Sequence, residues 1–314
     1  MTFLPRKMLA SALAAAALLF APFGVEPVLA ANPWGADYFP NVELTTQDGK
    51  TVRFYDDLLK GKAVAINLIF TECTDVCPLE TAKLRELQEL LGERVGKDVF
   101  FYSISIDPTH DTPEVLKAYA EKFKVKPGWL FLTGKAEDIK LVARKVGLLG
   151  ARDRATREGH STILTIGDEP TGRWMKNSAT DNPRFLAATM ETFLGWKAVQ
   201  PSTSYASARP ITIANGQYLF QNGCAVCHTI GQGDKIGPDL LGVIERRGSD
   251  WLTRFILAPD EVLAAGDPIA ATLFKTYKGV RMPNLGLARD EVAELIAFLE
   301  ASTQSVRKRS SAAR

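Results

Sequence analysis

The sequence has few of the residues that bind metals or carry redox chemistry: its 314 residues include four cysteines and three histidines. A formal net charge of only +2 leaves no large basic surface, so we expect no nucleic-acid partner. After the first 30 residues, no apolar run approaches the length of about 20 residues that spans a bilayer. Internal repeats are also lacking. The chemistry of this chain must therefore depend on a handful of side chains.

The first 30 residues have the features of a secretory leader. Arg6 and Lys7 precede an apolar run from Met8 to Phe20, and Val28-Leu29-Ala30 offers a small-residue cleavage site. The apolar run is shorter than the roughly 20 residues that span a bilayer, although an uncleaved membrane anchor is the alternative interpretation. We expect a signal peptide over residues 1–30 and a periplasmic protein.

A change of composition divides the remaining chain into two domains. Residues 199–210 are rich in Pro, Ser and Ala without apolar periodicity, which predicts a linker. Strand and helix signals alternate over residues 31–198, whereas residues 211–302 have helical signals only. The basic end, residues 303–314, is predicted to be a solvated, disordered tail.

The alternation in the first domain predicts an α/β fold, with helices on both faces of a central sheet. Strands are predicted at Ala63–Phe70, Val99–Ile106, Trp129–Leu132, Thr162–Ile166 and Arg173–Lys176. Helices are predicted at Leu79–Leu91, from Thr112 onward, at Asp138–Val146 and at Pro183–Phe193. The second domain is predicted to be small and all-α, with helices at Gly216–Gln221, Asp250–Leu257 and Asp290–Ala301.

The second domain contains a haem-attachment motif. Cys224 and Cys227, followed by His228, have the Cys-x-x-Cys-His spacing that places two thiols at the haem vinyls and an imidazole at the iron. Met282 is the one methionine of this domain, which has no second histidine, so Met282 is predicted as the other axial ligand. A zinc site would need two further ligands that the domain does not offer. We therefore expect one covalent haem c.

These features resemble class I cytochrome c. The resemblance covers the whole domain and includes Asn215-Gly216-x-x-Leu219-Phe220, Ile236-Gly237-Pro238-Asp239-Leu240 and Met282-Pro283. It implies that the Pro238 carbonyl accepts a hydrogen bond from the His228 ring. It also implies that Gly216 lets the first helix cross closely under Phe298.

Cys73 and Cys77 form a second pair with the longer Cys-x-x-x-Cys spacing, on a loop between a predicted strand and a predicted helix. The positive helix end would lower both thiol pKa values. Two thiolates suit Cu(I), and they also suit reversible disulfide formation. A permanent disulfide is a third interpretation, although so short a loop gains little stability from it. A third copper ligand would be His160, which precedes a predicted strand, or His110, and the residues alone favour His160 only slightly.

The first domain also resembles the Sco/SenC family of thioredoxin-fold copper proteins, over about residues 36–197. The matching segments are Cys73–Pro78, Asp107–Pro113 with Leu116 and Tyr119, and His160-Ser161-Thr162. The resemblance implies a thioredoxin-like fold and one copper ion on Cys73, Cys77 and His160. It further implies delivery of copper to, or thiol reduction at, the CuA site of cytochrome c oxidase.

Three residues depart from the family pattern. Thr74 stands in place of a proline, Gly159 in place of an acidic residue, and His110 in place of a basic residue. Because the implied ligands are kept, we expect copper binding with altered affinity or potential. Under the resemblance, His110 is an incidental loop residue.

The two sites together predict that the haem is the electron partner of the copper–dithiol site, because both metals change by one electron. The predicted function is that of a copper metallochaperone for cytochrome c oxidase, with periplasmic electron carriers as further partners. Two alternatives stay open, and with them whether the protein is an enzyme. One is a haem-coupled thiol–disulfide oxidoreductase, which would remain active without His160. The other is a redox sensor that reports to a membrane partner.

Overall fold

The computed structural model describes residues 33–150, 162–197 and 213–312. The first two ranges contain a seven-stranded mixed sheet, with strand order β2-β1-β5-β4-β3-β6-β7. Strands β3, β4 and β5 are parallel, whereas β1 is antiparallel to β2 and β5, and β6 is antiparallel to β3 and β7. The strands are β1 (Glu43–Thr46), β2 (Thr51–Arg53), β3 (Ala63–Ile69), β4 (Val99–Ser105), β5 (Trp129–Gly134), β6 (Ile163–Asp168) and β7 (Arg173–Ser178).

Helices cover both faces of the sheet, as the alternating pattern predicts. Residues from α1, α2 and α4 form one apolar cluster with the sheet, and residues from α3 and the short helical segment Phe54–Leu59 form a second cluster. The helices are α1 (Cys77–Leu91), α2 (Pro113–Lys122), α3 (Ala136–Lys145) and α4 (Pro183–Phe193). The predicted α/β, thioredoxin-like class is confirmed.

The central strand β3 is buried from Val64 to its end, as expected for a continuous apolar run covered on both faces. Its polar exception is Asn67, whose Oδ1 accepts a hydrogen bond from the Ser103 hydroxyl at 2.7 Å. Trp129 Nε1 donates to the same hydroxyl oxygen at 2.9 Å. These two hydrogen bonds link the buried polar side chains of the parallel strands β3, β4 and β5. Strand β3 then leads into the Cys73–Cys77 loop.

The predicted strands and helices of this domain are present, with ends displaced by a few residues. The helix predicted from Leu79 begins at Cys77, so the second cysteine occupies the first helical turn. Strands β1 and β2 were not predicted, because they have only four and three residues and too little apolar pattern to recognise.

The last described range is all-α, as predicted, and its helices surround a separate apolar core. The predicted helix at Gly216–Gln221 is shorter, and it passes into a π-helical turn at Phe220–Cys224. The helices are α5 (Asn215–Leu219), α6 (Val243–Arg247), α7 (Ser249–Leu257), α8 (Pro259–Ala264), α9 (Pro268–Thr276) and α10 (Arg289–Ala312).

The disordered tail predicted from residue 303 is wrong as far as the structure describes it, because α10 continues to Ala312. Thr303 is buried, and its hydroxyl oxygen accepts a hydrogen bond from Gly242 N at 3.1 Å. Arg307 forms an ion pair with Glu245 at 2.8 Å. These contacts give the end of the helix a surface to pack on, so its basic residues are exposed but helical.

Three predictions lie outside the described residues: the leader over 1–30, the linker over 199–210, and the position of His160. They stay predictions, as do the exact domain boundaries. Among the helices that the structure describes, none combines the length and the apolar character needed to cross a bilayer.

Candidate functional sites

The Cys73–Cys77 dithiol lies between the end of β3 and the start of α1, at the carboxyl end of a central strand. Cys73 is 4% exposed and Cys77 is fully buried. Both residues are thiols, and Cys77 N lies 3.4 Å from Cys73 Sγ, within hydrogen-bonding distance. Two sulfurs are therefore side by side at the N-terminus of a 15-residue helix.

The two thiols differ in acidity, although the sequence predicts a low pKa for both. A hydrogen bond from the Cys77 thiol lowers the pKa of Cys73 to about 6, against the opposing effect of burial, and the backbone N–H groups of Cys77 and Asp75 add to the lowering. The same hydrogen bond, together with burial, raises the pKa of Cys77. At neutral pH the pair therefore consists of one thiolate and one thiol.

A buried carboxyl group lies near the dithiol. Glu80 is 1% exposed, and its Oε2 has no hydrogen-bond partner in the part of the chain that the structure describes. Burial raises the pKa of Glu80 to about 8, with smaller contributions from the charges of Cys73 and Asp75. Glu80 was not predicted as a site residue, although its position three residues after Cys77 on a helix places both on one face.

Of the two candidate histidines, the structure describes only His110. His160 lies outside the described residues, so its role as third ligand stays a prediction. His110 is on the loop after β4, where Nδ1 lies 3.1 Å from Asp111 Oδ1 and Nε2 lies 3.2 Å from Glu72 Oε1. His110 is therefore part of a polar cluster rather than an incidental loop residue.

The second domain encloses an apolar cavity of about 600 Å³, with the predicted haem residues in its wall. Cys224, His228 and Met282 line it, and the same three residues together with Cys227 also line a second, smaller cavity of about 100 Å³. Most of the wall is apolar, including Phe220, Trp251, Leu252, Phe255, Leu273 and Leu295. Two thiols, an imidazole and a thioether around these two largely apolar cavities are the donor set that haem c requires.

His228 is prepared to act as a metal ligand. Its Nδ1 lies 2.8 Å from the Pro238 carbonyl, as the cytochrome c resemblance implies, and donates to it. Burial lowers the pKa of His228 despite that hydrogen bond, which favours the neutral ring. Nε2 then carries the lone pair. A Cβ at Gly237 would lie only 2.6 Å from His228 Cε1, so only glycine fits beside the ring.

The close helix crossing implied by the resemblance is also present. A Cβ at Gly216 would lie 2.1 Å from the Glu294 carbonyl oxygen and 3.0 Å from Phe298 Cβ. The loop after the haem motif is organised by Asp239, which accepts hydrogen bonds from the Gly231 and Gly233 backbone. These contacts hold the two ends of the domain together around the cavity.

The smaller of the two cavities reaches the dithiol loop. Thr74 and Leu79 contribute to its wall together with Cys227, His228 and Met282. In the sequence, Thr74 stands out only as a departure from a family pattern. Leu79 had no functional signal, because the contact exists only once the two domains are folded against each other.

The contact between the two domains combines apolar and charged groups. Val226 and Ile236 belong to the same buried cluster as Leu79. Lys235 Nζ lies 3.4 Å from Glu86 Oε2 and donates to the Ala225 carbonyl at 3.1 Å. Lys124 Nζ donates to the Lys235 carbonyl at 2.8 Å.

Comparison with known proteins identifies both parts of the chain. A family model described as SCO1/SenC matches residues 33–193, and one described as Cytochrome c matches residues 213–303. A SCO2-like protein of Rickettsia felis is 39% identical over 146 residues, which are 45% of this chain and 68% of that protein. A SCO2-like protein of Rickettsia prowazekii is 34% identical over 145 residues, 44% of this chain and 68% of the relative.

Among solved structures, a SCO1/SenC family lipoprotein from Bacillus anthracis is 31% identical to this chain, with a TM-score of 0.42. The match covers 49% of this chain and 93% of that protein.

Proposed function

This chain belongs to the SCO1/SenC family and carries a C-terminal cytochrome c domain, and from that premise we propose that it is an assembly factor for the CuA site of cytochrome c oxidase. Its cargo is one copper ion, bound by Cys73, Cys77 and His160. Its partners are the oxidase subunit with the CuA site and periplasmic electron carriers. The proposed location is the periplasm, with residues 1–30 as a signal peptide or an uncleaved anchor.

The dithiol supports copper binding by its unequal thiols. Cys73 is a thiolate above a pH of about 6, so one sulfur is ready to bind a soft cation. Cys77 keeps its proton through the hydrogen bond with Cys73 and its burial. Copper binding would therefore release the Cys77 proton, since metal ligands must be deprotonated.

The second domain is proposed to hold one haem c, attached to Cys224 and Cys227, with His228 and Met282 as axial ligands. When bound, the haem supplies a one-electron couple that matches the Cu(II)/Cu(I) change of the cargo. The chain orients His228 through the Pro238 carbonyl and surrounds the cavity with apolar side chains. The hydrogen bond fixes the orientation of the ring, and burial among apolar side chains keeps the ring neutral.

The observation that carries the proposal is the position of Thr74. Its side chain directly follows Cys73 in the sequence, and it lines the same cavity as Cys227 and His228. The dithiol and the haem cavity are therefore neighbours within one chain. An electron can pass between them without a diffusional encounter between two proteins.

The test is rapid mixing of the protein in its reduced-haem form with Cu(II). We expect haem oxidation with a first-order phase whose rate does not depend on protein concentration. Cys73→Ser and His160→Ala should lose bound copper in metal analysis and lose this phase as well. A rate that scales with protein concentration, or haem that stays reduced, would refute internal electron transfer.

The unequal thiols also favour a second candidate, a thiol–disulfide oxidoreductase. A Cys73 thiolate suits nucleophilic attack on a disulfide, and Cys77 would then act as the resolving thiol. This candidate predicts that His160→Ala keeps reductase activity while Cys73→Ser abolishes it. Loss of copper without loss of reductase activity in His160→Ala would favour the enzyme over the metallochaperone.

A further inference from the structure

Met282, the predicted second axial ligand, lies in an irregular segment between α9 and α10. Residues 280–288, all within the described part of the chain, belong to neither a helix nor a strand. Val280 and Leu285 pack against a buried apolar cluster, which keeps the segment close to the protein. Because apolar packing has no preferred direction, the position of Met282 also depends on the polar contacts of the residues beside it.

One such contact joins the segments that carry the two predicted ligands. Tyr277 directly follows α9, five residues before Met282, and lines both cavities together with Met282. Its hydroxyl group donates a hydrogen bond to Asp234 Oδ2 at 2.7 Å. Asp234 belongs to the loop that follows His228. The hydrogen bond therefore connects the end of α9 to the His228 loop.

The other oxygen of Asp234 is bound within the His228 loop itself. Asp234 Oδ1 accepts a hydrogen bond from Asp239 N at 2.9 Å. Asp239 directly follows Pro238, whose carbonyl accepts the hydrogen bond from the His228 ring. The hydrogen bonds from Asp239 and Tyr277 lower the pKa of Asp234, so both are made to an ionised carboxylate and are charge-assisted.

We propose that Asp234 and Tyr277 are positioning residues for Met282, because their hydrogen bond holds the Met282 segment where its thioether and the His228 imidazole can reach the same iron. This inference rests on the proposed ligation of one haem by His228 and Met282. Without the hydrogen bond, Met282 should leave the iron more often. An external ligand that binds only after Met282 has left then gains affinity, since its binding-competent state is more populated.

The experiment uses the full chain with its haem oxidised and measures displacement of Met282 by imidazole from the visible spectrum. We expect Tyr277→Phe and Asp234→Ala each to bind imidazole about three- to tenfold more tightly than the wild type, as for the loss of one hydrogen bond. Asp234→Asn keeps a hydrogen-bonding side chain without the charge and should have a smaller effect. Adding Tyr277→Phe to Asp234→Ala should cause no further change, because the two residues act as a pair.

Two control variants separate positioning from a general loss of stability. Tyr218→Phe is the matched control for the loss of a tyrosine hydroxyl, because Tyr218 is 52% exposed on α5. Thr303→Val removes a buried hydrogen bond of the same domain, between Gly242 N and the Thr303 hydroxyl. Neither variant should change the affinity for imidazole.

Unchanged affinity in Tyr277→Phe, or an equal change in Tyr218→Phe or Thr303→Val, would overturn the inference and leave the proposed function intact. Met282→Ala distinguishes the two. It should bind imidazole more tightly than any of these variants, because no side chain has to leave the iron. If Met282→Ala and the wild type bind imidazole equally, Met282 is not an axial ligand, and the proposed ligation is refuted together with the inference.

Discussion

Cys73 and Cys77 differ in their chemistry because of one hydrogen bond. Cys77 is fully buried in the first turn of α1 and donates to Cys73, which has two further backbone donors. A thiolate forms where donors converge, and the thiol that provides the donor keeps its proton. The pair is therefore suited to a reaction that begins at the Cys73 thiolate and continues at the Cys77 thiol.

The acidity of Cys73 can be tested by removing its donor. In the reduced, copper-free protein, alkylation of Cys73 should rise with pH around a midpoint near 6, because only the thiolate reacts. Cys77→Ala should move the midpoint upward, whereas Cys77→Ser keeps a hydroxyl donor and should move it less. The measurement is mass spectrometry of the alkylated peptide across pH. An unchanged midpoint in Cys77→Ala would contradict this origin of the low pKa.

The raised pKa of Glu80 leads to a second prediction, which concerns the pH dependence of stability. Burial raises the pKa of Glu80 from 4.5 to about 8. Between these pH values the Glu80 carboxyl group is ionised in the unfolded chain but still protonated in the folded protein. The unfolded state then binds fewer protons, so stability falls as pH rises through this range, by up to on the order of 5 kcal/mol. Glu80→Gln removes this fall.

The measurement is chemical denaturation of the wild type and Glu80→Gln between pH 5 and 8, a range set by the raised pKa of Glu80. We expect the stability of the variant relative to the wild type to increase with pH. Glu93→Gln serves as the control, since its side chain is 92% exposed and its relative stability should stay constant. Parallel curves for wild type and Glu80→Gln would show that Glu80 is ionised in the folded state.

At the scale of elements, the ends of β3 and β4 determine what the dithiol loop can do. Asp111 follows β4 and holds the Thr71 backbone at the end of β3, so the two loops are joined by a fully buried carboxylate. The neighbouring parallel strands end at the same edge of the sheet. Residues 34 or more positions apart along the chain, such as Asp107 and Cys73, therefore occupy adjacent loops.

Helix α10 offers a test of how its C-terminal turns are held. Thr303→Val keeps the shape of the side chain but leaves the buried Gly242 N–H without its acceptor. We expect a loss of about 1–3 kcal/mol in the free energy of unfolding of the haem-containing domain. Denaturant titration followed by haem absorbance measures it.

Thr253→Val is the control for this change, because the Thr253 hydroxyl is exposed and donates to the Ser249 carbonyl of its own helix. Its effect should be within about 0.5 kcal/mol. If both variants lose the same stability, the Gly242–Thr303 hydrogen bond does not anchor the end of α10.

At the scale of the whole molecule, the contact between the two domains places the dithiol loop beside the haem-attachment residues Cys227 and His228, with which Thr74 lines one cavity. Val226 and Ile236 bury apolar surface in this contact. The ion pair between Lys235 and Glu86 ties the contact to α1. Partly exposed ion pairs contribute little free energy, about 0.2–1 kcal/mol. The pair therefore positions the contact more than it stabilises it.

Glu86→Gln should loosen this contact. We expect the first-order phase of haem oxidation by Cu(II) to slow by less than about fivefold and to become less sensitive to ionic strength. Glu89→Gln is the control on the same helix, because Glu89 pairs with Arg85 of that helix. Stopped-flow traces at low and high salt measure both variants. Indistinguishable behaviour of the two variants would mean that the Lys235–Glu86 pair has no part in positioning the haem domain.

The local pattern predicted most of the fold correctly, for reasons visible in particular segments. Pro183–Phe193 has a helix-starting proline and a helical apolar period, and its predicted bounds match the structure. The strand predicted at Ala63 is a continuous apolar run that buries itself on both faces. Strands β1 and β2 were too short to recognise, and the helical end of α10 depends on packing against residues near Gly242.

By itself, the amino-acid sequence determined which residues are the candidates for the chemistry: two cysteine pairs, one with its adjacent histidine, and a single methionine in the second domain. Spacing predicts these assignments because thioether attachment and helical periodicity act over a few residues. Only the tertiary structure decided that Cys73 and Cys77 have opposite pKa shifts, that Glu80 is buried beside them, and that Thr74 lines a cavity together with Cys227 and His228. Burial, hydrogen bonding and contact between domains depend on residues distant in the chain, and no local pattern records them.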